Sequence, residues 1–121
     1  MGTSRKKASL SATGTPLGQK LHRLIADFGN NRVASLLGVS PSQPSRWQKG
    51  EERISAENQR GLLDLDYVMA RLLQLFPQAQ AEIWLTSHNA HLGARPIDVL
   101  RLRGAARVVQ AIDAEAQDAY A

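Results

Sequence analysis

Apolar residues along this chain recur at three- and four-residue steps, the spacing of a helix face, and no segment alternates as a half-buried strand would. From Pro16 to about Phe28, the side chains of Leu17, Leu21, Leu24, Ile25 and Phe28 share one face. Thr15 supplies an N-cap ahead of a proline at the first helical position. Gly29-Asn30 ends that helix, and two short helices follow between Asn31 and Gly50. Val33, Ala34 and Leu37 form the apolar side of the first; Gly38 ends it where positive φ is often needed, and Val39 plugs the turn. Ser40 reads as the N-cap of the second, with Gln43 three residues later at capping-box spacing and Pro41 at the first helical position. Trp47 turns inward, leaving Ser42, Gln43, Ser45, Arg46 and Lys49 toward solvent. Pro44 is the irregularity: it stands at a packing position, where its ring can act as a plug but removes one early helix hydrogen bond.

Further on, Ile54 leads into Ser55, an N-cap, and a long helix to about Phe76. Its stripe is Leu62, Leu65, Met69, Leu72 and Phe76, widened by Leu63, Tyr67, Val68 and Leu73. A helix apolar over so much of its circumference must be covered on two sides. A dimer interface and the centre of a single monomeric core satisfy that requirement equally. Pro77 starts a shorter helix through Trp84 and Leu85, Thr86 to Arg95 is a loop, and Pro96 opens a short helix holding Ile97, Val99, Leu100 and Leu102. After Gly104 a last helix places Ala105, Val108, Val109 and Ile112 on one side. The expected fold class is all-α, in about seven helices.

Charge divides the chain. Residues 1–60 carry ten Lys/Arg against four Asp/Glu, whereas residues 61–121 carry five against seven. Three segments follow: a basic tail over 1–14 without periodicity, expected to be disordered; a compact basic unit over 15–60; and a nearly neutral apolar half over 61–121. Arg5, Lys6 and Lys7 in the tail serve phosphate contact or solubility equally well. The chain has no cysteine, which excludes disulfides and thiolate metal sites. It shows no apolar run of membrane-spanning length and no signal-peptide core, so the expected location is the cytoplasm and no membrane partner is implied.

The register of small residues, glycine, cap and tryptophan between Asn31 and Gly50 is that of a helix-turn-helix, whose second helix lies in the DNA major groove. A plain αα-hairpin with solvated charges gives the same helices without that register. On the first reading Ser42, Gln43, Ser45, Arg46, Lys49 and Arg53 are the DNA-binding residues. Arg46 or Gln43 would meet base edges, since Arg suits guanine and Gln suits adenine, and Lys49 and Arg53 would meet phosphates. A dimer would read a palindromic operator. No glycine-rich phosphate loop, nucleophile–base pair or set carboxylate pair appears, so an enzyme is not expected. His88 and His91 lie close together without a third ligand type at metal spacing, and no cofactor is expected.

The second half carries its own pattern: Ile83-Trp84-Leu85-Thr86-Ser87-His88-Asn89, then Leu92-Gly93-Ala94-Arg95-Pro96-Ile97-Asp98-Val99-Leu100, then Gly104 and Val108-Val109. Over roughly residues 16–115 the chain resembles the Xre/ParS/MbcA-type antitoxins of RES–Xre toxin–antitoxin pairs, departing at Ala94, where a second glycine is common. The resemblance implies a helix-turn-helix joined to a helical toxin-binding and dimerisation domain. It implies a RES-domain toxin that consumes NAD as partner, neutralised by insertion of the C-terminal end into its active-site cleft. It also implies repression of the chain's own operon. The toxin-binding residues so implied are Arg95, Asp118, Tyr120 and Ala121. Each has a plainer structural reading: Arg95 paired with Asp98, and Tyr120 packed back on its own core at a frayed helix end. Trp84 reads as core packing, Asn89 as a turn former and Gly93 as a backbone position needing freedom from Cβ. A stand-alone dimeric transcription regulator is the alternative function.

Overall fold

A computed structural model describes residues 14–120, with the side chains of Ala119 and Tyr120 outside it. The basic tail (apart from Gly14), the Tyr120 side chain and Ala121 therefore lie outside the described residues. Among these the chain forms seven helices and no strand: α1 Pro16–Phe28, α2 Asn30–Leu37, α3 Gln43–Lys49, α4 Ala56–Leu73, α5 Gln78–Thr86, α6 Pro96–Arg103 and α7 Ala106–Tyr120. They fall into two compact units, Met1–Leu63 and Asp64–Ala121, divided within α4.

In the first unit α1, α2 and α3 pack on one another. Thr15 Oγ1 accepts the Gly18 N–H at 2.9 Å, which satisfies one of the orphan donors at the start of α1. Leu21 and Leu24 are buried, while Leu17, Ile25 and Phe28 are half-buried at the edge of the same stripe. One residue, Gly29, separates α1 from α2. The buried face of α2 is Val33, Ala34 and Leu36, with Leu37 only half-buried. Gly38 adopts φ 73° and ψ 32°, and the Val39 N–H returns to the Ala34 carbonyl at 3.0 Å, a left-handed helix end that a Cβ would strain.

The start of α3 differs from expectation. The N-cap is Ser42 rather than Ser40, and the proline in the first turn is Pro44 rather than Pro41. The physical reason is Pro44 itself. A helix beginning at Pro41 would need a fourth-position N–H that Pro44 lacks. A helix beginning at Gln43 puts Pro44 where no donor is needed, and the first helical bond runs from the Arg46 N–H to the Ser42 carbonyl at 3.2 Å. The capping-box contact survives by half: Gln43 Oε1 accepts the Ser40 N–H at 3.1 Å. Pro44 is fully buried, so its ring is the plug and costs no helix bond.

Ser55 caps α4 through its Oγ, which accepts the Asn58 N–H at 3.1 Å. The stripe of Leu62, Leu65, Met69 and Leu72 is buried together with Val68, whereas Leu63, Tyr67 and Leu73 remain exposed. The helix stops at Leu73, short of Phe76, and the Leu75 and Phe76 N–H groups close on the Leu72 carbonyl ahead of Pro77.

In the second unit α5 packs on α6 and α6 on α7. Ala81, Leu85, Ile97, Leu100, Val108, Ala111 and Ile112 are buried. Val99, Ala105 and Val109 are half-buried, and Ile83 and Leu102 face solvent.

Candidate nucleic-acid and partner interfaces

The α3 surface is organised by a residue outside the helix. After Gly50 turns the chain in the left-handed region, the Glu51 N–H closes on the Arg46 carbonyl at 2.9 Å, and Glu52 folds back over α3. Its carboxylate accepts from Gln43 Nε2 at 2.9 Å, from the indole Nε1 of the buried Trp47 at 2.9 Å and from Arg46 Nε at 3.0 Å. Arg46 Nη1 also donates to Ser42 Oγ at 2.8 Å. The hydrogen bond from Gln43 first, then those from Arg46 and Trp47 with the charge of Arg46, hold the Glu52 carboxyl below the usual range against partial desolvation.

Of the DNA-binding candidates, Ser42, Lys49 and Arg53 are exposed and Gln43, Ser45 and Arg46 half-buried. The structure thus brings Ser42, Gln43 and Arg46 into one hydrogen-bonded cluster around Glu52, and gives Lys49 no contact in it. Two of the five guanidinium donors of Arg46 are used there, and three stay available. Sequence reasoning missed Glu52. The one signal that pointed to it was Trp47: an inward indole needs an acceptor for its N–H, and the nearest carboxylates along the chain are Glu51 and Glu52. The turn between α2 and α3 is tied to the start of α2 as well, since Asn30 Nδ2 donates to the Pro41 carbonyl.

In the second unit the Ser87–Arg95 loop is built on Asn89. Its backbone N–H meets the Ala94 carbonyl at 3.0 Å, its carbonyl accepts from Gly93 at 2.8 Å, and its side-chain oxygen accepts from Leu92 at 3.2 Å. Gly93 sits at φ 67°, with no atom within 4 Å of an added Cβ; backbone conformation, not crowding, favours glycine there. Trp84, expected in the core, is half-buried, because its indole N–H reaches Glu115 on α7 at 3.1 Å and holds the ring at the boundary. Arg71 on α4 pairs with Asp113 on α7.

Arg95, the N-cap of α6, grips Asp98 with two parallel bonds of 2.9 Å, Nε to Oδ2 and Nη2 to Oδ1. That hydrogen bonding holds the Asp98 carboxyl below its ordinary value. Asp118 is exposed in the last turns of α7, and the side chains of Tyr120 and Ala121 are outside the described residues. Among the described residues no helix is long and apolar enough to cross a membrane, and no three His, Asp or Glu side chains group to hold a metal.

Residues 71–117 match the family described as the antitoxin Xre/MbcA/ParS C-terminal toxin-binding domain. The chain is also 33% identical over 89 residues to the mycobacterial cidal antitoxin MbcA of Mycobacterium bovis and to that of Mycobacterium tuberculosis, covering 73% of this chain and 79% of theirs. No solved structure gives a significant match. The signature running from Trp84 through the Asn89 turn to Leu100 lies inside the matched region, and the similarity to MbcA is too long to be confined to it: this chain belongs to the Xre/MbcA/ParS antitoxin family.

Proposed function

We infer that this protein is a two-part antitoxin: its second unit binds and neutralises a RES-domain, NAD-consuming toxin, and its first unit represses the operon by reading operator DNA as a dimer. The observation that carries the reading is the match of residues 71–117 to a toxin-binding domain, set beside a basic α2–α3 unit outside it. On this reading the protein is not itself an enzyme. Neutralisation occurs by occlusion: Asp118, Tyr120 and Ala121 enter the toxin's cleft, where acidic charge mimics an anionic nucleotide, and Arg95 supports the interface. Ser42, Gln43, Ser45, Arg46, Lys49 and Arg53 face the DNA.

Co-expression with the RES-domain toxin of the same operon tests the reading. The full chain is expected to restore growth, and removal of residues 118–121 to abolish rescue while leaving binding to the promoter fragment unchanged. Rescue by the shortened chain would remove the occlusion step. Failure of the full chain to rescue or to co-purify with the toxin would leave a stand-alone regulator as the function.

A further inference from the structure

The surface of the second unit has a groove between the Ser87–Arg95 loop, α6 and α7. Two cavities, of about 420 and 230 Å³, meet there because Leu92 and Arg107 line both. Leu92, Val99 and Leu102 supply apolar lining, and Leu102 is 83% exposed, the most exposed large apolar side chain among the described residues. Arg103 and Arg107 flank it; both are exposed, and among the described residues neither guanidinium group has a hydrogen-bond or ion-pair partner. Asp98 also lines the groove, but Arg95 occupies both of its carboxylate oxygens. In a half of the chain where acids outnumber bases, two uncommitted guanidinium groups therefore stand beside an uncovered apolar floor.

We propose that this groove seats an acidic segment of the toxin, with an apolar side chain on Leu92, Val99 and Leu102 and neighbouring carboxylates on Arg103 and Arg107. The assignment rests on the toxin-binding reading above and adds a contact distinct from insertion of the α7 end. Charge complementarity chooses the occupant's sign, because planar guanidinium groups take carboxylates in paired hydrogen bonds. The apolar floor chooses its class: a phosphate backbone has no group that gains from covering Leu102, whereas a peptide side chain does. The groove also lies within residues 71–117.

The test is calorimetric titration of the full chain with the RES-domain toxin of its own operon, at low and high salt. Arg103→Glu/Arg107→Glu is expected to weaken binding by at least tenfold, with a smaller loss at high salt. Arg103→Lys/Arg107→Lys, which keeps the charge but not the paired hydrogen bonds, is expected to lose less affinity than the charge reversal, and Leu102→Asp to lose about tenfold or more. Unchanged melting by circular dichroism separates these effects from misfolding, since the three side chains are exposed. Wild-type binding that the charge-reversed variant keeps in full overturns the groove and leaves the toxin reading standing. No wild-type binding sinks both. Loss confined to DNA affinity, or a change only in self-association, would assign the groove to nucleic acid or to a second copy and overturn the proposal.

Discussion

At the scale of single residues, the Glu52 carboxylate ties the outward face of α3 to the core of its unit. It joins Gln43 and Arg46, which point outward, to Trp47, which is buried. Arg46 thus has its orientation set by Glu52 and Ser42, while Lys49 has no contact in that cluster; on the proposed DNA-reading function the two should behave differently. Operator binding by Arg46→Ala is expected to fall selectively, by about ten- to a hundredfold, the loss of one base contact. Lys49→Ala should weaken specific and random DNA alike and flatten the salt dependence. Mobility shifts with the promoter and a scrambled fragment decide between them; equal losses for both variants on both DNAs would remove this division of labour.

The same carboxylate makes stability depend on pH. The hydrogen bonds of Gln43, Arg46 and Trp47 favour the ionised form of Glu52, and Arg95 does the same for Asp98, so both folded pKa values lie below the unfolded ones. Their contributions are complete above the unfolded values and are lost as pH falls through the folded ones. Melting followed from about pH 7 to about pH 3 should show a drop in Tm that is shallower in a Glu52→Gln/Asp98→Asn variant. An identical slope would mean that other carboxylates govern acid sensitivity.

Among the elements, α3 shows how two local signals compete. Ser40, Pro41 and Gln43 announce a helix start, and Pro44 forbids it, because a proline in the fourth position would orphan the Ser40 carbonyl. The helix begins at Gln43 instead, and the buried Pro44 ring fills the space against its neighbours. Pro44→Ala is expected to lower the unfolding free energy by about 1–2 kcal/mol, through lost packing and a more flexible unfolded chain. Urea denaturation measures this, and an unchanged midpoint would show that the ring does not act as a plug.

The other helices were legible for the opposite reason: their signals agree. Thr15-Pro16, Ser55, Gly38 and Gly104 bound stretches whose apolar spacing matches the helix they enclose. At Leu73, where the Leu75 and Phe76 N–H groups close on the Leu72 carbonyl ahead of Pro77, the periodic pattern runs on past the helix end.

For the whole molecule, the open question left by the sequence was what covers the wide apolar face of α4. Val68 is buried, but Leu63 (45%), Tyr67 (51%) and Leu73 (40%) stay exposed. The proposed dimer would cover them. A native mass near twice the 13.2 kDa of one chain is then expected, falling toward a single chain in Tyr67→Glu. A wild-type mass of one chain in solution would overturn the dimer.

By itself the sequence determined the all-helical class, the glycine turns, the Asn89 loop and the family signature, since each depends on residues within a turn or two of one another. It also put Gln43, Ser45, Arg46 and Lys49 together on one short helix, where the structure has them. Only the tertiary structure decided which of them are committed and which are free: Glu52 reaches Arg46 and Gln43 because Gly50 reverses the chain. Likewise, Arg103 and Arg107 flank an open floor because α6, α7 and the Asn89 loop meet there. Helical spacing reports which side chains share a face, but it carries no information about what a neighbouring element sets against that face.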